Sequence, residues 1–161
     1  MTARFRTQFQ PMAELSKDIV GRKMEPFTFT VERGKVKEFL QAIGETNAIY
    51  HDVSAAKAAG YTDTPVPLTF QTAFTFWGYG DKFWSDLDSF GIDTKRLLHM
   101  KEEYTYLEPI YPGTTVSCQV EVIDVKVGKM NMVTFKNTYS DGKGKVFIEA
   151  EMAIVIRPEG M

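Results

Sequence analysis

Between residues 97 and 156 the apolar side chains fall on alternate positions in four successive runs, Leu98–Leu107, Thr114–Val127, Met130–Tyr139 and Lys145–Ile156. A period of two sends neighbouring side chains to opposite faces, so each run predicts a strand with one buried face. Glu108-Pro109-Ile110-Tyr111-Pro112-Gly113 and Ser140-Asp141-Gly142-Lys143-Gly144 supply turn chemistry between runs. Consecutive strands joined this closely pair antiparallel. The second run changes phase: Val116, Cys118, Val120 and Val122 share one parity, and Ile123, Val125 and Val127 take the other. An extra residue in one strand of a pair bends it, so this sheet is expected to curl.

The upstream sequence supplies something for the sheet to curl around. Phe27-Thr28-Phe29-Thr30-Val31 alternates and predicts a further strand. Val36, Phe39, Leu40 and Ile43 then fall at i, i+3, i+4 and i+7, the stripe of an amphipathic helix that Gly44 stops. Ser54 is placed to cap a short alanine-rich turn, Ala55 to Ala59, which Gly60 ends. The stretch Thr62-Asp63-Thr64-Pro65-Val66-Pro67 must be non-helical, because each proline biases its predecessor to extended geometry.

A helix is expected from Pro67 towards Gly78 or Gly80, with Phe70, Phe74 and Trp77 as its main stripe, widened by Leu68, Ala73 and Phe76. Only Gln71 and threonines interrupt it, so burial on most sides is expected. Phe83, Trp84, Leu87 and Phe90 mark either a second packing helix or a lid. Residues 1–25 are mixed and read as an N-terminal arm with one helical turn, the arm itself being assigned to residues 1–16. The order strand, helix, short helix, long helix and four strands gives one sheet wrapped round a central helix. That is an α+β chain of the hot-dog type.

Composition narrows the partners. A length of 161 residues fits a single domain over 1–161. Lys plus Arg number 19 against 21 Asp plus Glu, a net charge of −2, which provides no basic field for nucleic acid or an anionic membrane. No apolar run approaches the ~20 residues of a membrane span, and the first residues lack a signal-peptide core. A cytoplasmic location is the expectation, and the single Cys118 fits it. His51, His99 and Cys118 are too few for a structural zinc site, so no metal is expected. Gly142-Lys143-Gly144-Lys145 superficially suggests a phosphate loop but lies between two strands, as a hairpin turn would.

Several phrases carry a resemblance over about residues 17–157. They are Ile43-Gly44-Glu45-Thr46-Asn47-Ala48-Ile49-Tyr50-His51-Asp52, Ala55-Ala56-Lys57-Ala58-Ala59-Gly60-Tyr61, Pro65-Val66-Pro67-Leu68-Thr69-Phe70 and Tyr104-Thr105-Tyr106-Leu107-Glu108-Pro109-Ile110-Tyr111-Pro112-Gly113. Together they resemble the MaoC-like and fatty-acid-synthase-like dehydratases, hot-dog hydratases that act on acyl thioesters. The motif of active members reads Gly-Asp-x-Asn-Pro-x-His and, after one residue, Asp. On this chain Gly44, Asn47 and Asp52 match it. Glu45 stands at the Asp position, Ala48 at the Pro and Tyr50 at the His, with His51 one residue late.

What the resemblance implies is reversible addition of water to a trans-2-enoyl thioester, with (R) stereochemistry. That reaction needs a group to take a proton from water and return one to the α-carbon, and donors at the thioester oxygen. Glu45, His51 and Asp52 are the candidate catalytic residues. Asn47, Tyr50, Pro67, Thr69 and Phe70 are the candidate substrate-binding residues. A tyrosine with an ordinary pKa near ~10 is a poor base at neutral pH. His51 is either a displaced base paired with Glu45 or Asp52, or a surface residue beside a cap formed by Asp52.

The phrase Ile-Tyr-His-Asp is similar to the half of divided dehydratases that has lost the Asp/His pair and lines the acyl tunnel. No cofactor is expected beyond CoA or acyl carrier protein, which arrives with the substrate. The expected assembly is a homodimer, or a heterodimer with a catalytic MaoC-like subunit. Two alternatives stand beside this reading: a hot-dog acyl-CoA thioesterase using Glu45 or Asp52 on the carbonyl, and an acyl-binding subunit without turnover.

Overall fold

A computed structural model describes residues 15–158 of the chain. Its frame is a five-stranded antiparallel sheet, ordered β1-β3-β4-β5-β2. The strands are β1 (Phe27–Thr30), β2 (Leu97–Tyr106), β3 (Thr115–Lys126), β4 (Asn131–Ser140) and β5 (Val146–Ile156). Three breaks in register let the sheet curl. They lie between Val122 and Asp124 in β3, between His99 and Lys101 in β2, and where β4 turns into β5. The first is the phase slip read from sequence, with Ile123 as the extra residue. Buried Val116, Cys118, Val120 and Val122 give way to buried Val125, while Val127 lies past the strand end and is exposed. Gly142 and Gly144 sit in the β4–β5 hairpin turn.

The helices pack against the concave face. They are α1 (Arg33–Ile43), α2 (Val53–Ala58), α3 (Gln71–Phe74), which runs on into a π turn at Thr75–Tyr79, and α4 (Lys82–Ser89). In α1 the stripe buries Val36 and Leu40 and leaves Ile43 exposed at the C-terminal end. Gly44 closes that helix in the left-handed region at φ 68, which a side chain rarely adopts. The cap of α2 is Asp52 rather than Ser54. The helix already begins at Val53, so the Asp52 carboxylate accepts from Ala55 N–H at 2.7 Å and Ser54 falls inside the first turn. The arm expected at residues 1–16 lies almost wholly outside the described residues; a short 3-10 turn follows it at Lys17–Ile19, with Ile19 buried.

The central helix differs most from expectation. Pro67–Phe70 is a turn closed by Phe70 N–H donating to the Pro67 carbonyl at 2.9 Å, and α-helix begins only at Gln71. The last stretch widens to a π turn that presses Gly78 onto β1. A Cβ there would stand 2.7 Å from the Phe27 ring. Phe70 and Phe74 are fully buried, but Phe76 and Trp77 remain 55% and 49% exposed, so the helix is not covered on most sides. Residues 81–96 contain the packing helix α4, with Leu87 in the core.

Candidate functional site

The loop from Gly44 to Asp52 holds most of the candidate polar residues, and it is organised by hydrogen bonds to its own backbone. The Glu45 carboxylate accepts from Asn47 N–H at 2.8 Å. The Asn47 amide oxygen accepts from Ile49 N–H at 3.2 Å and caps the 3-10 turn Ala48–Tyr50. His51 Nε2 lies 2.8 Å from the carbonyl oxygen of Glu45, not from its carboxylate. Asp52 caps α2. The structure therefore gathers Glu45, Asn47, His51 and Asp52 in one loop, with each side chain engaged by a neighbouring main-chain group.

Tyr50 points elsewhere. With Pro67 it lines a cavity of about 230 Å³ between the α2–α3 connection and the β2–β3 turn. Tyr61, Val66, Gln71, Tyr106 and Ile110 complete much of its wall. Main-chain pairing of Val66 N–H with the Ile110 carbonyl at 2.9 Å joins its two rims. Burial raises the Tyr50 hydroxyl above its ordinary 10.0, and the nearby Glu45 carboxylate and Tyr61 push the same way. The phenol is thus protonated at neutral pH, able to donate a hydrogen bond but not to act as a base.

The remaining candidates are placed apart from this cavity. Thr69 is exposed in the turn before α3. Phe70 is fully buried, edge-on to Phe39 at 5.2 Å and to Phe74 at 5.6 Å. Glu45, Asn47, His51 and Asp52 are not among the cavity-lining residues.

Sequence reasoning missed Gln71 and gave Tyr106 no role. Gln71 is 3% exposed, and its Nε2 donates to the Tyr106 hydroxyl at 3.2 Å. That hydroxyl donates in turn to the Leu68 carbonyl at 2.6 Å. The signal was present, since a lone amide in an apolar helix must find a partner when buried. At the opposite rim Glu108 also lines the cavity and is held by Lys145 at 3.2 Å. The arrangement offers tyrosine and amide hydrogen bonds to a bound polar group within a largely apolar wall.

Comparison with known proteins identifies the family and the fold. Residues 18–150 match the family described as FAS1-like, dehydratase domain region. A UPF0336 protein of Thermobifida fusca is 30% identical over 145 residues, spanning 89% of this chain and 94% of that protein. One from Streptomyces avermitilis is 32% identical over 146 residues, spanning 89% and 95%.

Among solved structures, the C-terminal truncated HadBC (3R-hydroxyacyl-ACP dehydratase) complex of Mycobacterium tuberculosis is similar with a TM-score of 0.73. Identity is 22%, over 88% of this chain and 99% of that one. The ChsH1-ChsH2 complex of the same organism gives a TM-score of 0.68 at 23% identity, over 86% and 91%. An (R)-hydratase from A. caviae involved in PHA biosynthesis gives 0.65 at 16% identity, over 86% and 96%. At these identities the structures establish the hot-dog fold. With the family match covering most of its length, the chain belongs to the FAS1-like, MaoC-like family of hot-dog dehydratases.

Proposed function

We propose that this chain is the non-catalytic, substrate-holding subunit of an (R)-specific 3-hydroxyacyl-thioester dehydratase, working beside a MaoC-like subunit that carries the Asp/His pair. The observation that carries the reading is at the hydratase motif. The one motif residue that reaches the cavity is Tyr50, a protonated phenol, while Glu45 and His51 are held by local backbone. A cavity whose phenols and amide donate, and whose one carboxylate, Glu108, is paired with Lys145, is suited to orienting a thioester rather than moving its protons.

In the assembled enzyme the partner's pair takes a proton from water as the water oxygen bonds to C3, and a proton is delivered to C2. Negative charge developing on the thioester oxygen is met by hydrogen-bond donors. CoA or acyl carrier protein enters as part of the substrate, and the chemistry asks for no redox group.

The test is hydration of crotonyl-CoA and of a longer enoyl-CoA, followed by loss of the conjugated absorbance with a thiol reagent present. The chain alone should give no turnover, and turnover should appear when it is co-purified with a catalytic MaoC-like subunit. Hydration by the chain alone that His51→Ala abolishes would overturn the subunit reading and make His51 the base. Thiol release would point instead to hydrolysis of the thioester.

A further inference from the structure

A second cavity, of about 350 Å³, lies on the concave face of the sheet beneath the π turn and α4. Phe83, Trp84 and Leu87 of α4 cover it, and Phe135 of β4 with Ile154 of β5 form part of its floor. A cavity with such walls suits a hydrocarbon chain or ring. One part of the wall does not. Asn137 lines it from the middle of β4, in register with Val120 on one side and Ala150 on the other. This side chain is 5% exposed, and its Oδ1 has no hydrogen-bond partner. Among the described residues the only other buried side-chain polar atom left in that state is Arg157 Nε. Thr75 and Tyr139 stand in the same wall, and Tyr139 is 2% exposed.

A buried amide oxygen without a partner is a net cost to a fold, and native structures keep few of them, even where, as here, the amide has the Tyr139 hydroxyl for a neighbour. On the inner face of a central strand, an apolar residue of similar size would fill the space without that cost. An asparagine there is explained by something that enters the cavity and bonds to it.

The chemistry of that partner can be narrowed. At the rim, His99 Nε2 lies 3.6 Å from the Glu102 carboxylate, and both line the cavity. Glu102 disfavours an anionic ligand group, and as the one carboxylate in the lining it already faces His99, so none is left over to hold a buried cation. A neutral group remains. A hydroxyl both donates and accepts, so it satisfies the amide whichever way its oxygen and nitrogen are turned.

We infer that this cavity receives the acyl chain of the substrate and that Asn137 selects chains bearing a hydroxyl remote from the thioester, beyond C3. The inference rests on the acyl-thioester reading above and adds the substrate class to it.

The experiment is calorimetric titration of the purified protein with dodecanoyl-CoA and with monohydroxydodecanoyl-CoA isomers hydroxylated at successive carbons beyond C3. One isomer should bind roughly tenfold or more tightly than the plain chain, the size expected of one hydrogen bond to a buried group. In Asn137→Leu the plain chain should bind at least as well as before, and the preference for the hydroxylated isomer should vanish.

Equal affinity for all isomers and the plain chain in the unaltered protein would overturn the inference without recourse to any variant. So would a preference that survives Asn137→Leu, or no binding of any of them. The readout is binding, so it is independent of turnover. Selective binding with no hydration in any assembly would retain the pocket and remove the dehydratase role; hydration by the assembled enzyme with no selectivity would do the reverse.

Discussion

The Gln71 amide donates to the Tyr106 hydroxyl at 3.2 Å, across the seam between the central helix and the edge strand β2. These residues are 35 positions apart in sequence, and their bond passes on to the Leu68 carbonyl at 2.6 Å. It is the polar contact that ties the start of α3 to the sheet at the first cavity. Tyr106→Phe removes both bonds and leaves the buried Gln71 amide with only the Tyr104 hydroxyl to turn to, which costs up to roughly 1–3 kcal/mol. Gln71→Leu removes the polar group instead of stranding it and should cost less. The two changes together should therefore cost less than their sum, because the second relieves what the first exposes. Urea unfolding of the three variants checks this; strictly additive costs would mean the bond contributes nothing.

A second expectation concerns the π turn. A Cβ on Gly78 would meet Phe27 Cδ2 at 2.7 Å and Cε2 at 2.9 Å, with Phe29 Cβ at 3.2 Å. The Phe27 ring is itself buried and packed on Tyr79 at 4.8 Å, so it has little room to yield. Gly78→Ala should destabilise the fold by about 1–3 kcal/mol, the usual range for overpacking a tight contact. Thermal unfolding is the measurement. An unchanged midpoint would mean that the helix end does not rest on β1 at this closeness.

How far the sequence revealed this follows from which interactions are local. The four long strands fall within one residue of the ends read from alternation, and the bulge at Ile123 follows from parity alone. Alternation records burial on one face, and β3, β4 and β5 bury theirs. In β2, at the sheet edge, no residue is buried and the alternating Leu98, Met100 and Tyr106 are exposed, against the expectation of a buried face. The central helix was harder. Apolar stripes report what could be buried, and Phe76 and Trp77 are left exposed because the π turn rotates them off the core. The site was least legible. Glu45, Asn47 and Asp52 match a motif in type, yet each carboxylate or amide bonds to a main-chain N–H within three residues, a use that the same residue types serve at any helix start. Gln71 and Tyr106 meet only through the fold, so no local pattern could pair them.

The edge strand carries a third expectation. β2 is the outermost strand beyond β5, ten residues long, with Leu98 48% and Met100 51% exposed. A long edge with apolar side chains is a template for pairing with another chain. Sedimentation velocity should show a mass above that of one chain, or assembly with a catalytic subunit when the two are co-expressed. Leu98→Lys with Met100→Lys should weaken that association at least tenfold while leaving the unfolding free energy of the separate chain within about 1 kcal/mol, as surface changes usually do. A monomer that never associates, with or without a partner, would defeat the expectation.

The last expectation is a loss of stability on the alkaline side, led by Cys118. The thiol is 1% exposed, and burial pushes its pKa from 9.0 up to about 12. An acid whose pKa is higher in the folded state releases its proton more readily when unfolded. Its stabilising contribution is therefore complete below pH 9 and is lost as the pH rises from 9 towards 12, at roughly 1 kcal/mol per pH unit. Buried Tyr139, and Tyr104 beside Glu102, are likewise raised above 10.0 by desolvation first, and they steepen the fall from about pH 10. Urea unfolding at pH 7, 8, 9, 10 and 10.5 should give a plateau followed by a decline. In Cys118→Ala, which carries a separate cavity cost at every pH, the decline should begin about one pH unit later, where the tyrosines alone act. A flat profile through pH 10.5, or the same onset in both proteins, would show that the thiol is not held away from solvent in β3.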